Sequence, residues 1–214
     1  TPPPPSPTRH LTSPPLFLSG HGQEAWDGSE GFERRLVIKL FSESLSWRGT
    51  AEMMIGRSLQ LSLGAGGRPM QVFSINLARH NQLIQLERAA NKWPFLPESF
   101  SFFIQGKSDV KFYTLRRHFF SIGADYTLYD QKGRKIGILD HQLLNLGGAW
   151  MVRMDPAVKD RKLEAVLELF CAVLKFNRAG RGHIRKLAEQ VLRGKVKPGL
   201  DHDEENLYRN PRRR

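Results

Sequence analysis

Asp125-Tyr126-Thr127-Leu128-Tyr129-Asp130-Gln131-Lys132-Gly133-Arg134-Lys135-Ile136-Gly137-Ile138-Leu139 reads as a β-hairpin. Two apolar-rich runs flank the turn Asp130–Gly133, where Gly133 supplies the positive φ that a tight turn needs. A similar pattern occurs again just downstream. His118 to Leu128 resembles Leu143 to Val152, with Gly123 matching Gly147, Tyr126 matching Trp150 and Leu128 matching Val152, each 24 residues apart. This is the mark of a β-meander, and it points to fold before chemistry.

Working upstream, Phe100–Ile104 and Val110–Leu115 read as short strands. Before them come Gln82–Leu86, Met70–Ile75 and Leu36–Leu40. Leu59-Gln60-Leu61-Ser62-Leu63 alternates with period two, which predicts another strand with one buried face. Gly64–Pro69 then makes a turn without the trailing Gly-Lys-Ser/Thr of a phosphate-cradling loop. Strands at this spacing without intervening helices indicate an antiparallel sandwich or barrel.

Downstream the period changes. Leu163 to Phe176 is apolar around most of a helical circumference, with Glu164, Glu168 and Lys175 forming one narrow stripe. Such a helix must be buried on several sides. Its length of about 22 Å falls short of a bilayer. Arg178 to Leu192 predicts a second, basic amphipathic helix, and 194–214 a solvated tail. Residues 1–30 are rich in Pro, Ser and Gly, and Pro2–Pro5 excludes helix or central strand. They read as a flexible arm, the folded body as 31–177, and 178–214 as a basic helical or disordered tail.

The 214 residues suffice for one sizeable core, and the 40% apolar share fits a globular chain. The formal net charge is +12. It divides into about −2 over 1–30, +8 over 31–177 and +6 over 178–214. Such an excess favours anionic partners, either nucleic acid or the phosphates of a membrane surface. The single cysteine, Cys171, lies in an apolar run and excludes an intramolecular disulfide or a cysteine-rich zinc site. No transmembrane span and no signal peptide are expected. A chain starting at Thr1 reads as a processed or trimmed form.

Residues 119–137, Phe119-Phe120-Ser121-Ile122-Gly123-Ala124-Asp125-Tyr126-Thr127-Leu128-Tyr129-Asp130-Gln131-Lys132-Gly133-Arg134-Lys135-Ile136-Gly137, resemble the tubby C-terminal-like superfamily. The nearest branch is the LURP-one-related and phospholipid-scramblase-like one. The shared pattern is a Ser-apolar-Gly step, an aromatic strand and an Asp-x-x-Gly turn. Many strands followed by one hydrophobic helix agree with it. The resemblance implies a mainly β (β+α) fold, a closed antiparallel barrel of about twelve strands around a buried C-terminal helix at 161–177. It also implies a non-enzymatic protein that binds anionic membrane lipid of the phosphoinositide type, as a tether or regulator.

Two departures weigh against scrambling. That branch has cysteine-rich palmitoylation and an acidic calcium segment, whereas here one cysteine stands alone and Asp155–Asp160 is sparse in carboxylates.

Tests for other chemistry lead elsewhere. No His-x-x-x-His or Cys-x-x-Cys spacing occurs, so no metal site is expected. His118 and His141 precede the two repeat steps, where bonding to backbone is the ordinary role. Asp125, Asp130, Asp140 and Asp155 sit at turns, which aspartate favours. No nucleophile elbow appears. Neither an enzyme nor a cofactor is expected.

The candidate lipid- or anion-binding residues are therefore basic: Arg116, Arg117, Lys132, Arg134 and Lys135 around the hairpin, and Arg178, Arg181, Arg185 and Lys186 beyond the buried helix. One alternative is a nucleic-acid-binding protein using the same basic surface with exposed Tyr126 or Tyr129. Others are a protein-interaction module using the Pro-rich arm or basic tail, and a scramblase-like protein. The expected location is intracellular, cytoplasmic or at a membrane periphery, with the nucleus as alternative.

Overall fold

The computed structural model describes residues 11–12, 31–80, 83–89, 96–106, 108–119, 125–142 and 149–209. Most of the Pro-rich arm lies outside the described residues, as do Gly123 and Gly147 of the repeated segments. After the two-residue strand β1 (Leu11–Thr12) and a short 3-10 turn (Gly31–Glu33), the chain forms β2 (Val37–Phe41) and β3 (Trp47–Met53). Helix α1 (Ile55–Gly64) follows. Then come β4 (Val72–Leu77), β5 (Leu83–Arg88), β6 (Ser99–Gln105), β7 (Val110–Arg117), β8 (Tyr126–Asp130), β9 (Lys135–Gln142) and β10 (Ala149–Met154). Helices α2 (Arg161–Leu192) and α3 (His202–Arg209) are the last described elements.

Strands β2 to β10 form one antiparallel meander in sequence order, and β1 adds to β10 at the far edge. Among the described residues β2 pairs only with β3, so the sheet is open. The expected closed barrel of about twelve strands is not formed. Nine meander strands that leave β2 and β10 unjoined do not close a ring, and β1 caps the β10 edge instead.

The hairpin forms as expected. Asp130 accepts from the backbone N–H groups of Lys132 and Arg134, both at 2.9 Å, and Gly133 has φ of 73°. The repeated segments become β8 and β10, the two neighbours of β9. Leu139 of β9 faces Tyr126 on one side and Val152 on the other. The matched pair Tyr126 and Trp150 is therefore offset by two residues along the sheet.

Inward-facing residues of every strand from β2 to β10 join one core with α2. Phe170 of α2 meets Phe100 of β6 and Tyr126 of β8 edge-on, with ring centroids 5.1 and 5.3 Å apart. From β3, Arg48 reaches the buried Glu168 of α2 at 2.8 Å. A helix touched from β3, β6 and β8 sits inside a curved sheet, which is why Leu163 to Val173 can be almost wholly apolar.

The expected strand at Leu59–Leu63 is instead part of α1. The residues that decide this are Ile55, Ser58, Leu59 and Ser62, buried at helical spacing. The Ser58 and Ser62 hydroxyls donate back one turn to Met54 O and Ser58 O. They also accept from Val72 N and Met70 N at 2.9 and 2.8 Å. Polar side chains that would break a core strand thus fasten the helix to the start of β4. Strand β3, by contrast, carried no alternation that announced it.

The second helix expected after residue 177 is the continuation of α2, a single element of 32 residues. Asp160 caps it through the Lys162 and Leu163 N–H groups. Gly180 lets it pass the sheet closely, since a Cβ there would lie 2.7 Å from Gln71 Nε2 and 3.2 Å from Met53 Sδ.

The last segment is not a free tail. Met54 gives α1 no side-chain cap, and Glu204 of α3 supplies one from afar. Its carboxylate accepts from Gly56 N at 2.7 Å and Arg57 N at 2.9 Å. Arg35 bonds both Asp203 and Glu52, and Leu207 is buried.

Two expected outcomes follow from this packing. Phe170→Ala should lower stability by about 3–5 kcal/mol in urea unfolding, as for other buried aromatic truncations. Glu204→Ala should cost about 1 kcal/mol by removing the cap, measured the same way. A Glu204→Ala protein as stable as the parent would show that the cap contributes nothing.

Candidate anion-binding site

One end of the core gathers a polar cluster from five parts of the chain. Glu98 lies just ahead of β6 and is 8% exposed. Arg88 at the end of β5 donates to it through Nε at 2.5 Å. Tyr126 at the start of β8 donates its hydroxyl at 2.8 Å, and Asn177 of α2 donates at 3.1 Å. Arg181, one turn further along α2, lies 3.8 Å away. Gln71, before β4, is fully buried and donates through Nε2 to Asn177 O at 3.3 Å. Backbone bonds from Arg88 N to Gln71 O and from Arg117 N to Glu98 O, both 2.8 Å, fix the strand ends around it.

Two arginines thus share one carboxylate. Burial pushes the Glu98 pKa upward, but Arg88's charge and the bonds from Arg88, Tyr126 and Asn177 outweigh it. The net direction is down. Arg181 moves down as well, first through burial and then through the charge of Arg88, with Arg185 adding to it. Arg117 and Arg88 both act on Tyr126, whose own hydroxyl pKa is raised by burial and by Glu98. The cluster therefore holds more positive charge than its carboxylate neutralises. Three buried polar atoms here make no hydrogen bond: Gln71 Oε1, Asn177 Oδ1 and Arg181 Nε.

The nine basic residues expected from sequence separate into groups. Arg117, Arg181 and Arg185 belong to the cluster end. Arg178 is exposed on the same helix. Lys186 lines an adjoining cleft of about 160 Å³ with Gly31, Arg34, Ala179, Gly182 and His183. Lys132, Arg134 and Lys135 lie elsewhere. Antiparallel register places Arg117 opposite Tyr126, whereas the β8–β9 turn lies beside the start of β7. Four residues of strand rise separate Tyr126 from Asp130, where the turn begins, about 13 Å. Arg134 is also tied to the Asp130 carboxylate at 2.8 Å. Arg116 lies on the outer sheet face, with its guanidinium 5.2 Å from the centre of the Tyr129 ring.

His118 bonds the Thr127 hydroxyl at 2.5 Å, and the His141 side chain lies outside the described residues. Cys171 is buried, and burial pushes its thiol pKa well up, so it is an inert core residue. No described helix is long and apolar enough to cross a membrane.

Sequence reasoning missed Arg88, Glu98, Gln71 and Asn177. Glu98 has partners 10, 28 and 79 residues away, so no local spacing announces them. Comparison with protein-family models, with curated proteins and with solved structures found no match to this chain.

The Glu98 shift has a definite sign. Its carboxylate is held below the ordinary value of 4.5 in the folded state. The stability it contributes is present above that value and is lost as pH falls through the lowered one. Urea midpoints of the wild type should therefore fall more steeply on acidification below about pH 4.5 than those of Glu98→Gln. Parallel curves would rule out a contribution from Glu98.

Proposed function

We propose that the chain is a non-enzymatic tether or regulator that docks on anionic membrane lipid through the outer end of α2. The observation that carries this reading is that Arg88 and Arg181 share Glu98 while Arg117 and Arg185 add further charge beside them. A phosphate held near Arg181 would relieve that crowding and offer an acceptor to its free Nε. Exposed Arg178, Arg185 and Lys186 extend the same positive region towards the cleft that includes Arg34 and His183. The resemblance to the tubby-like superfamily supports the same class of ligand, a phosphoinositide-type headgroup. The commitment of α2's first four turns to the core stands against transbilayer lipid movement.

Vesicle co-sedimentation tests the reading. Binding to phosphatidylcholine vesicles should be weak and should rise as anionic lipid is added. Each cation near an anionic leaflet contributes about 1 kcal/mol, so Arg178→Glu with Arg185→Glu should weaken binding at least roughly tenfold. Both residues are exposed, so the fold should survive. Binding that does not respond to anionic lipid content would refute lipid docking.

A further inference from the structure

The described outer face of the sheet carries aromatic rings that the core does not use. Phe103 of β6 and Phe112 of β7 stand directly opposite each other and are 48% and 44% exposed. Their inward neighbours Phe102 and Tyr113 are 2% and 4% exposed, so the strand alternation is intact. On β8, Tyr129 pairs with Thr114, two residues along β7 from Phe112 on the same face. Rings thus step across three adjacent strands, about 4.8 Å apart. Arg116 adds its guanidinium over Tyr129.

The charge around this face is unbalanced. Lys135 is the register partner of Tyr129, and Lys132 lies at the tip of the same hairpin. The nearby carboxylate of Asp130 is already spent on two backbone N–H groups and on the Arg134 side chain. That leaves flat aromatic surface beside cations.

We propose that the outer face of β6, β7 and β8 is a stacking platform for single-stranded nucleic acid, separate from the lipid-docking end of α2. Unpaired bases present flat π-faces to Phe103, Phe112 and Tyr129, while the phosphates meet Arg116, Lys132 and Lys135. Stacking of this kind tolerates any base. A duplex keeps its base faces stacked internally and cannot offer them. Membrane insertion fits less well, because Phe103 and Phe112 lie in mid-strand, hydrogen-bonded into the sheet, rather than on a protruding loop.

The test is fluorescence anisotropy with labelled oligo-dT over a salt series, alongside duplex DNA of equal charge. The wild type should bind oligo-dT more tightly than duplex, with affinity falling as salt rises. Phe103→Ala with Phe112→Ala should weaken it at least roughly tenfold without changing the thermal midpoint. Phe112→Trp should bind as well as wild type or better, and Lys132→Glu with Lys135→Glu should flatten the salt slope. Arg178→Glu with Arg185→Glu should leave oligo-dT binding unchanged, which separates this site from lipid docking. Oligo-dT binding that survives loss of both phenylalanines, or that never exceeds duplex binding, overturns the proposal. If the same double substitution abolishes vesicle binding instead, the face is a membrane contact and the proposal is also overturned.

Discussion

The first four turns of α2 must be kept dry on nearly every side. Leu163, Val166, Leu167, Leu169, Phe170 and Val173 are fully buried. No flat sheet covers a helix from more than one direction, so the meander has to curl. The aromatic contact of Phe170 with Phe100 and Tyr126 shows the curl at its middle, and the Arg48–Glu168 pair shows it at β3. Burying Glu168 raises its pKa, against the opposing pull of Arg48. A buried pair of this kind stabilises little, yet losing one partner costs a great deal. With the Phe170 contacts, the pair defines how α2 is turned against the sheet.

That rotation sets the polar end. Asn177 and Arg181 follow Phe170 along the helix and arrive beside Glu98 because the aromatic trio holds the turns before them. Gly180 removes the Cβ that would strike Gln71. The same helix therefore has two roles divided by its length. Its first half is core, and its second half brings basic side chains to one end of the fold. Lys132, Arg134 and Lys135 belong to the opposite end because a β-hairpin returns the chain to where its neighbour began.

Much of the meander was legible because alternation and turn chemistry are local. Asp130 and Gly133 announce their turn, and Gln82–Leu86 or Phe100–Ile104 announce their strands, from a few consecutive residues. The buried helix was legible for the same reason. Leu59–Leu63 misled because five residues fit both periods, and the bonds from Ser58 and Ser62 to β4 decided between them. Closure was not legible, since whether β2 meets the far edge depends on sheet coiling rather than on any residue. The basic residues were visible as composition, but their grouping was not. It depends on register and on Glu98, whose partners come from three distant segments.

The cap on α1 has a consequence for synthesis. Ile55–Gly64 leaves the ribosome well before the carboxylate that completes its first turn, which belongs to Glu204, 148 residues after Gly56. The sheet has the same dependence, because its concave face lacks its filling until α2 appears. The sheet must therefore wait, part-folded and with apolar surface uncovered, until α2 and α3 have been made. A growing chain of this design needs shelter until those helices emerge, and the loss of Glu204 would be felt far back in the sequence, at α1.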